Sequence, residues 1–412
     1  MLRRSFLLGA PALARPLKPR ILVRSGWQTV NIGDIAHTPG LLALLERHIP
    51  EAQVTLWPVE LDRGAEPMLK RRFAQLEILR GSLDDVSRQF SRFDLFLHGS
   101  AASAGGRIAE FETWRRQVRK PYGYFGVGVT LEGEAAGAPM TERLKAVLSQ
   151  AAFIFTRETA SLKNLALAGI QGREMAFAPD ATFSMDLKDE SRAAAFLRQS
   201  GLKPGAFICA IPRLRYTPYH KIRKVDWSPQ EIERRERVNA QHAEVDHAKL
   251  RYAITDWVRN TGGQALLCPE MTYQLELLEP LLWSPLPEDV KRRTAVRRQY
   301  WLPDEAASIY RQAAAVVSFE CHSPILAAVQ GTPCLYLHQP EDGIKGQMWQ
   351  DLGLGDWCLE IEHTSGEQIA SKLHQITRRS SHARTRVKQA VRQARDIQGK
   401  RMQFISGLLS TA

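Results

Sequence analysis

The sequence has few cysteines and no long apolar run, and each shortage narrows the kind of protein it can encode. Its five cysteines are odd in number, widely spaced and without a C-x-x-C pair, which argues against a disulfide framework and a zinc site. No apolar stretch approaches the roughly 18 residues that a membrane span requires, so we expect no transmembrane segment. Low-complexity segments and fixed-period repeats are also missing from the sequence.

The chain is long and basic. Its 412 residues exceed what one ordinary hydrophobic core supports, so two domains are expected. A net charge of +12 predicts an anionic partner, and charge alone allows a phosphorylated small molecule, an acidic glycan, a membrane surface or nucleic acid. The basic residues of 291–298 and 378–401 recur at helical spacing without interleaved aromatic residues, so we interpret them as solvated helix faces and expect no nucleic acid partner. Peripheral membrane contact stays open.

The N-terminus has the pattern of an export signal. A twin arginine at Arg3 and Arg4 precedes a short apolar stretch that ends in small residues near Ala14. We therefore interpret residues 1–18 as a twin-arginine signal, which places the mature chain outside the cytoplasm, in the periplasm. An ordinary basic tail on a cytoplasmic protein is the alternative.

Predicted strands and helices alternate along most of the chain. Such alternation predicts an α/β fold in which helices cover both faces of parallel sheets. The pattern runs through residues 19–190, is interrupted by a polar linker over 191–204, and restarts over 205–365 with a basic, aromatic insertion at 212–241. Residues 366–412 are predicted to form basic C-terminal helices. The expected architecture is two Rossmann-like domains with an interdomain cleft, a glycosyltransferase-B-like arrangement.

Two loops of the first domain are candidates for binding an acceptor. Ligands of doubly wound sheets bind beyond the carboxyl ends of the strands, so the loops that follow strands are the places to search. Asn31, Gly33 and Asp34 leave backbone N–H groups free to meet an anion or an acceptor hydroxyl, although Asp34 also suits a helix N-cap. Gly99 and Ser100 follow a later strand, where small residues allow close backbone approach.

Two arginines follow the first strand of the second domain. Arg213 and Arg215 would lie at the cleft, and the planar fork of a guanidinium matches a phosphate or a carboxylate. They are therefore candidates for binding an anionic donor. Surface or interdomain ion pairing is the alternative.

His322 is the main candidate for acid–base chemistry. It lies between a predicted strand and a predicted helix, within Ser318 to Pro324. A histidine at a helix N-terminus tends to have a lowered pKa and to lie where a phosphate docks, which suits proton transfer near neutral pH. A buried histidine tied to a backbone group is the alternative.

Several motifs together resemble one enzyme family. In chain order they are Asn31-x-Gly33-Asp34, Gly126-x-Gly128, the segments 156–161 and 178–180, and the stretch from Ser318 to Pro333 that ends in Gly-Thr-Pro. Their order and spacing resemble the polysaccharide pyruvyl transferases over residues 20 to 360.

The resemblance implies an activity and assigns roles to residues. Members of this family transfer a pyruvyl group from phosphoenolpyruvate, as co-substrate, to hydroxyls of a sugar, without a metal or nicotinamide cofactor. The expected partners are thus a small anionic donor and a glycan acceptor. By this resemblance His322 is the general acid. Glu320, two residues before it, is the second candidate catalytic residue. Arg213, Arg215, Ser323 and Lys345 would bind the donor.

One motif departs from the family and leaves other functions open. The family commonly has Arg-Leu-His where this chain has Glu320-Cys321-His322. An ionised glutamate there would repel phosphoenolpyruvate at a cost of about 1 to 4 kcal/mol, which nearby cationic side chains would offset. A glycosyltransferase that uses a sugar nucleotide, with Glu320 on the ribose, is one alternative. A non-catalytic exported glycan-binding protein is the other.

Overall fold

The computed structural model describes residues 18–25, 28–131 and 140–410. These residues form a seven-stranded sheet and a six-stranded sheet, each covered by helices, and every strand pair is parallel. The α/β prediction is confirmed. No helix of the described residues has the length and apolar character that crossing a membrane requires. The predicted export signal lies outside the described residues.

The first sheet belongs to the N-terminal domain. Its strands are β1 (Arg20–Arg24), β2 (Gln53–Trp57), β3 (Glu77–Ile78), β4 (Leu95–His98), β5 (Tyr122–Val127), β6 (Phe153–Thr156) and β7 (Met175–Phe177), in the order β3-β2-β1-β4-β5-β6-β7. The helices are α1 (Ile32–His48), α2 (Ala65–Arg72), α3 (Leu83–Ser87), α4 (Ile108–Gln117), α5 (Glu142–Leu148) and α6 (Thr159–Leu167). The direction of the strand order reverses between β1 and β4, which opens a crevice at their carboxyl ends.

The second sheet belongs to the C-terminal domain. Its strands are β8 (Phe207–Ile211), β9 (Gln264–Leu267), β10 (Thr294–Val296), β11 (Ala315–Ser318), β12 (Cys334–His338) and β13 (Cys358–Glu360), in the order β10-β9-β8-β11-β12-β13. The helices from here to the end of the described chain are α7 (Glu190–Ser200), α8 (Tyr219–Ile222), α9 (Pro229–Thr261), α10 (Leu275–Leu277), α11 (Glu288–Lys291), α12 (Pro303–Gln312), α13 (His322–Val329), α14 (Gln347–Asp351), α15 (Gly366–Arg378) and α16 (Ser380–Ser410). Strands β8 and β11 are wholly buried, as apolar strands of a parallel sheet are.

Two segments differ from the sequence-based expectation. Most of the predicted linker 191–204 belongs to α7, because Asp189 caps the helix start and Gly201, at a φ of 65°, ends it. Ala193 and Leu197 of α7 are buried, so this mostly polar helix has a narrow apolar face that packs against the protein. The part of the predicted insertion from Pro229 onward, where a helix start was expected, and the helix predicted after it form one helix, the 33-residue α9, behind the N-cap Ser228. Residues 212–228 contain the short α8.

The last helix returns to the N-terminal domain. After α15 the chain enters α16, where the Gln398 amide donates hydrogen bonds to the carbonyls of Pro179 and Asp180 at 3.1 and 2.8 Å. Phe404, further along α16, meets Phe153 and Phe155 of the N-terminal sheet edge to face. The C-terminal helix thus joins the two domains, as the predicted architecture requires.

A buried ion pair lies at the end of the first strand. Arg24 donates two hydrogen bonds of 2.9 Å to the carboxylate of Glu110 on α4. Its third donor reaches the Trp57 carbonyl at 2.9 Å, and its guanidinium lies 4.2 Å from the centre of the Trp57 ring. Arg24 and Glu110 are only 6% and 8% exposed, so water cannot replace either partner.

Candidate functional site

A cavity of about 240 Å³ lies where the carboxyl ends of the two sheets meet. Both domains line it. Its charged and histidine side chains are Asp34, His37, His98, Arg107 and Arg157 from the N-terminal domain, and Arg213, Arg223, Glu320, His322 and Lys345 from the C-terminal domain. Five of these side chains are arginine or lysine and two are carboxylates, so the cavity is suited to an anion.

The start of α1 forms one wall. Asn31, not Asp34, is the N-cap, because its side chain accepts hydrogen bonds from the backbone N–H groups of Gly33 and Asp34 at 2.7 and 3.3 Å. Asp34 lies in the first turn, and His37 follows one turn later on the same side of the helix. A Cβ at Gly33 would lie 2.2 Å from the ring of His322, so α1 approaches α13 this closely only because residue 33 is glycine.

His322 lies at the first position of α13, as predicted, and contacts both domains. Its Nε2 is 3.0 Å from the Nε2 of His37, and its Nδ1 is 3.2 Å from Oε1 of Glu270. The other oxygen of Glu270 accepts a hydrogen bond of 2.6 Å from the backbone N–H of Ser323. One carboxylate therefore orients the imidazole and satisfies the start of its helix.

A second buried carboxylate lies beside the two imidazoles. Oδ2 of Asp180 is 3.0 Å from Nε2 of His37 and 3.8 Å from Nε2 of His322. Oδ1 accepts a hydrogen bond of 2.9 Å from the backbone N–H of Thr182, and the Asp180 carbonyl is held by Gln398 of α16. The arrangement is two facing imidazoles between two buried carboxylates.

This environment shifts the pKa values of His322 and Asp180. Burial by itself lowers the pKa of His322, but Cys321 and the carboxylates of Asp180 and Glu270 outweigh burial and raise that pKa well above its ordinary value. The expected lowering by the helix N-terminus is therefore wrong, because these contacts dominate. Burial would raise the pKa of Asp180, yet the two histidines hold it well below its usual range. The raised pKa favours the protonated form of the His322 imidazole.

Arg213 and Lys345 form a cationic corner of the cavity. Arg213 contacts Oδ1 of Asp342 at 2.7 Å and donates to the Gln339 side chain at 2.8 Å. Lys345 lies 3.3 Å from the same carboxylate oxygen. Burial raises the pKa of Asp342, but Arg213 and Lys345 lower it to about 2, so one carboxylate holds both cations in place. The positions of Arg213 and Lys345 suit the predicted donor-binding role.

Glu320 lies on the same wall and differs from its neighbours in charge. Its Oε1 accepts a hydrogen bond of 2.7 Å from Gln274 and lies 3.4 Å from Nε of Arg213. The pKa of Glu320 is raised to about 8, mainly because the carboxyl is buried. Arg213 lowers this pKa, and Glu270 raises it further. The raised pKa favours the neutral carboxyl, and the repulsion expected from the sequence applies only to its ionised form.

Arg215 does not line the cavity. Its guanidinium contacts Asp246 at 3.0 Å and Glu362 at 2.6 Å. These ion pairs match the alternative that the sequence left open for this residue. Arg213 and Arg215 lie two residues apart, but both lie in the loop after β8, where strand alternation no longer applies. The loop turns the two side chains toward different partners.

Gly33 and three other predicted residues also lie outside the cavity lining. The Ser323 hydroxyl pairs with the buried Tyr310 hydroxyl at 3.1 Å. Ser100 accepts a hydrogen bond of 3.0 Å from the Ala181 backbone and so fixes the segment that leads from Asp180. Gly99 lies against the core, where a Cβ would meet Leu41 at 3.2 Å. Their placement is structural, and the predicted contacts with donor or acceptor remain predictions.

Some lining and supporting residues were not singled out from the sequence. His37 could have been found, because it lies three residues after Asp34 on the same helix. Arg157 and Glu270 follow β6 and β9, so a search of every loop after a strand would have reached both. Asp180 follows β7 at the same distance as Glu270 follows β9 and lies in the family motif at 178–180, so the same search would have reached it. Gln274 carries no such local signal, since its role arises from a contact with the distant Glu320.

One group has the composition of a metal site. Asp34, His37 and His322 each offer a ligand atom, and the three atoms lie within 4.8 Å of one another. The sequence-based argument against zinc concerned cysteines, which are all free thiols in the structure. It did not consider a histidine and carboxylate site formed by the two domains together.

Comparison with known proteins identifies both the family and the fold. A family model described as polysaccharide pyruvyl transferase matches residues 31–337. A search of curated proteins finds no significant match. Among solved structures, Anabaena Alr3699/HepE in complex with UDP-glucose is similar, with a TM-score of 0.56, 12% identity and coverage of 95% of this chain and 100% of that one.

Two further solved structures resemble the chain. S. aureus MnaA with UDP has a TM-score of 0.56 at 10% identity, with 90% of this chain and 91% of that chain covered. E. coli ADP-heptose lps heptosyltransferase II has a TM-score of 0.51 at 12% identity, with 88% and 99% covered. At such identities the likeness concerns the fold alone. It confirms the predicted glycosyltransferase-B-like arrangement of two Rossmann-like domains.

Proposed function

The chain belongs to the polysaccharide pyruvyl transferase family, and on that premise we propose that it transfers a pyruvyl group from phosphoenolpyruvate to hydroxyls of a cell-surface sugar. His322 is the general acid in this proposal. The observation that carries it is the position of His322, between Glu270 and Asp180, on the wall of a small cationic cavity. No cofactor is needed for the reaction.

The size and charge of the cavity support a small donor. A volume of about 240 Å³ lies below the roughly 300 to 1,000 Å³ typical of sites for larger organic ligands. Arg213 and Lys345 offer guanidinium and ammonium donors for phosphate and carboxylate oxygens, and Arg157 lines the same space. Phosphoenolpyruvate is small and carries both of these anionic groups.

The chemistry requires one proton to be delivered and two hydroxyl protons to be removed. His322 gives its proton to the methylene carbon of the donor, and a sugar hydroxyl bonds to the adjacent carbon. The carbon–oxygen bond to phosphate then breaks, and a second hydroxyl completes the ketal. One hydroxyl proton leaves with phosphate. The other returns to His322 through His37, whose Nε2 lies 3.0 Å away and beside Asp180.

A second candidate function is sugar transfer from a nucleotide sugar. It is favoured by one observation, the likeness in fold to structures solved with UDP and UDP-glucose. In that case Glu320 would contact the ribose, and the small cavity would hold only part of the donor. The two candidates differ in the ligand that binds.

Ligand binding is measured by thermal unfolding of the purified chain. Phosphoenolpyruvate at about 100 times its dissociation constant is expected to stabilise the protein by roughly 2.7 kcal/mol, because it binds only the folded state. The Arg213→Ala variant should lose this shift, and Arg215→Ala, which removes an arginine outside the cavity, should keep it. A shift with UDP-glucose and none with phosphoenolpyruvate would favour the second candidate.

The affinity for phosphoenolpyruvate is expected to depend on pH through Glu320. Its pKa of about 8 leaves the carboxyl neutral below that pH, and ionisation above it places a negative charge beside the anionic donor. The dissociation constant, measured by calorimetry between pH 7 and 9, should therefore rise through pH 8. In Glu320→Gln it should stay nearly constant over this range. An equally steep rise in the glutamine variant would show that another group titrates.

A further inference from the structure

Three buried atoms at the edge of the cavity have the spacing of metal ligands. Nε2 of His37 lies 3.0 Å from both Nε2 of His322 and Oδ2 of Asp180, and the last two atoms are 3.8 Å apart. A single point therefore lies about 2 Å from all three atoms, which is the usual length of zinc–nitrogen and zinc–oxygen bonds. Two imidazoles and one carboxylate are also the ligand set of many open metal centres.

The surroundings of these atoms also suit a metal ion. Glu270 contacts Nδ1 of His322 at 3.2 Å, and the second ring nitrogen of a metal-binding histidine almost always donates to a carboxylate, a backbone carbonyl or a water. Oδ2 of Asp180 is buried and accepts no well-directed hydrogen bond from the described residues. Asp34 lines the cavity, and its carboxylate lies within 4.8 Å of a nitrogen of each imidazole. Further ligands of the ion can enter from this side.

The facing nitrogens allow two modes of occupation. At 3.0 Å the two Nε2 atoms can share one proton, or both lone pairs can point at one cation. We propose that His37, His322 and Asp180 also bind one divalent transition-metal ion of the Zn²⁺ type, and that this ion turns the transferase off. Nitrogen-rich ligand sets favour zinc, cobalt or copper over magnesium and calcium.

The inhibition follows from competition for one lone pair. A metal ion on Nε2 of His322 occupies the position of the proton that the imidazole donates, so the loaded protein has no general acid. This half of the inference rests on the proposed function. The binding half does not, because it depends only on the three ligand atoms.

Binding is tested on the full purified chain after removal of metals with a chelator. Titration with ZnCl₂ by calorimetry should give one ion per chain, and CoCl₂ should give visible absorption bands of a nitrogen- and oxygen-bound ion. MgCl₂ should give no heat. His37→Ala and Asp180→Asn are expected to weaken zinc binding at least about 10-fold, by analogy with the losses measured on changing groups around metal sites.

The controls separate this site from other histidine–carboxylate pairs. His374 and Asp256 form a partly buried pair at 2.5 Å in the C-terminal domain, outside the cavity lining, and His374→Ala should leave zinc affinity unchanged. Far-ultraviolet circular dichroism establishes that each variant is folded. If Asp180→Asn does not fold, His37→Ala decides the result. The absence of stoichiometric binding, or equal affinity in a folded His37→Ala, would overturn the metal site.

Activity separates the two halves of the inference. Phosphate release from phosphoenolpyruvate and a sugar acceptor should fall at the zinc concentrations that saturate the site, and a chelator should restore it. If zinc binds without slowing phosphate release, the proposed inhibition is wrong but the metal site is still supported. Zinc that accelerates release would also overturn inhibition, and with it the role of His322 as acid. If no phosphate is released with or without zinc, the proposed function fails while the calorimetry still decides the metal site.

Discussion

Replacing His322 with asparagine is expected to lower the rate of phosphate release from phosphoenolpyruvate by about 10²- to 10⁴-fold. This is the range that a positioned general acid contributes, and asparagine cannot donate a proton to carbon. The effect should appear in kcat, because the cationic corner of Arg213 and Lys345 still binds the donor. Steady-state phosphate release, with thermal shift as the measure of donor binding, checks both statements.

The matched control for this substitution is His374→Asn. Residue 374 also pairs with a carboxylate but lies far from the cavity, so its rate should equal that of the unchanged protein. A folded His322→Asn that retains a third or more of the original rate would remove His322 from the acid role. Retained donor binding in that variant would then point to another proton donor in the same cavity.

Truncating Glu110 to alanine is expected to destabilise the folded chain by about 3–5 kcal/mol. The substitution leaves the Arg24 guanidinium buried without its carboxylate, and removal of one partner of a buried ion pair has this cost. Arg24 keeps only the Trp57 carbonyl and the ring beneath it. Denaturant unfolding followed by circular dichroism gives the change in the free energy of unfolding.

The same helix offers a control for the charge itself. Glu112, two residues further along α4, pairs with Arg143 on the surface at 2.5 Å. Glu112→Ala should lower the free energy of unfolding by only a small fraction of the loss expected for Glu110→Ala. The double variant Arg24→Met, Glu110→Met should recover most of the stability, because it removes both charges together. A loss of less than about 1 kcal/mol in Glu110→Ala would mean that water reaches Arg24.

Most of the fold could be predicted from local pattern. Strands such as β4 and β8 are short apolar runs followed by small residues, and the strand–loop–helix alternation defines their parallel order. The strands that escaped prediction are β3, β7 and β13, which have only two or three residues at sheet edges. Their position depends on pairing with a neighbour, which a local window does not contain.

The site could be predicted only in part. His322 and Arg213 stand directly after strands, and their positions at the cleft follow from that rule. The contact between His37 and His322 joins residues 285 apart in the sequence, and no local pattern predicts it. The raised pKa of Glu320 likewise depends on burial beside Arg213 and Glu270, so the sequence alone exaggerated its negative charge.

The return of α16 to the N-terminal domain has a consequence for biosynthesis. Gln398 holds the carbonyl of Asp180, yet it follows every other residue of the site in the order of translation. Both sheets can therefore form on the ribosome before the carboxylate beside the two histidines is fixed. A nascent chain that is released before Gln398 is made would keep the cavity walls but lack the clamp on Asp180. The hydrogen bond that fixes Asp180 can thus form only after this part of α16 has been synthesised.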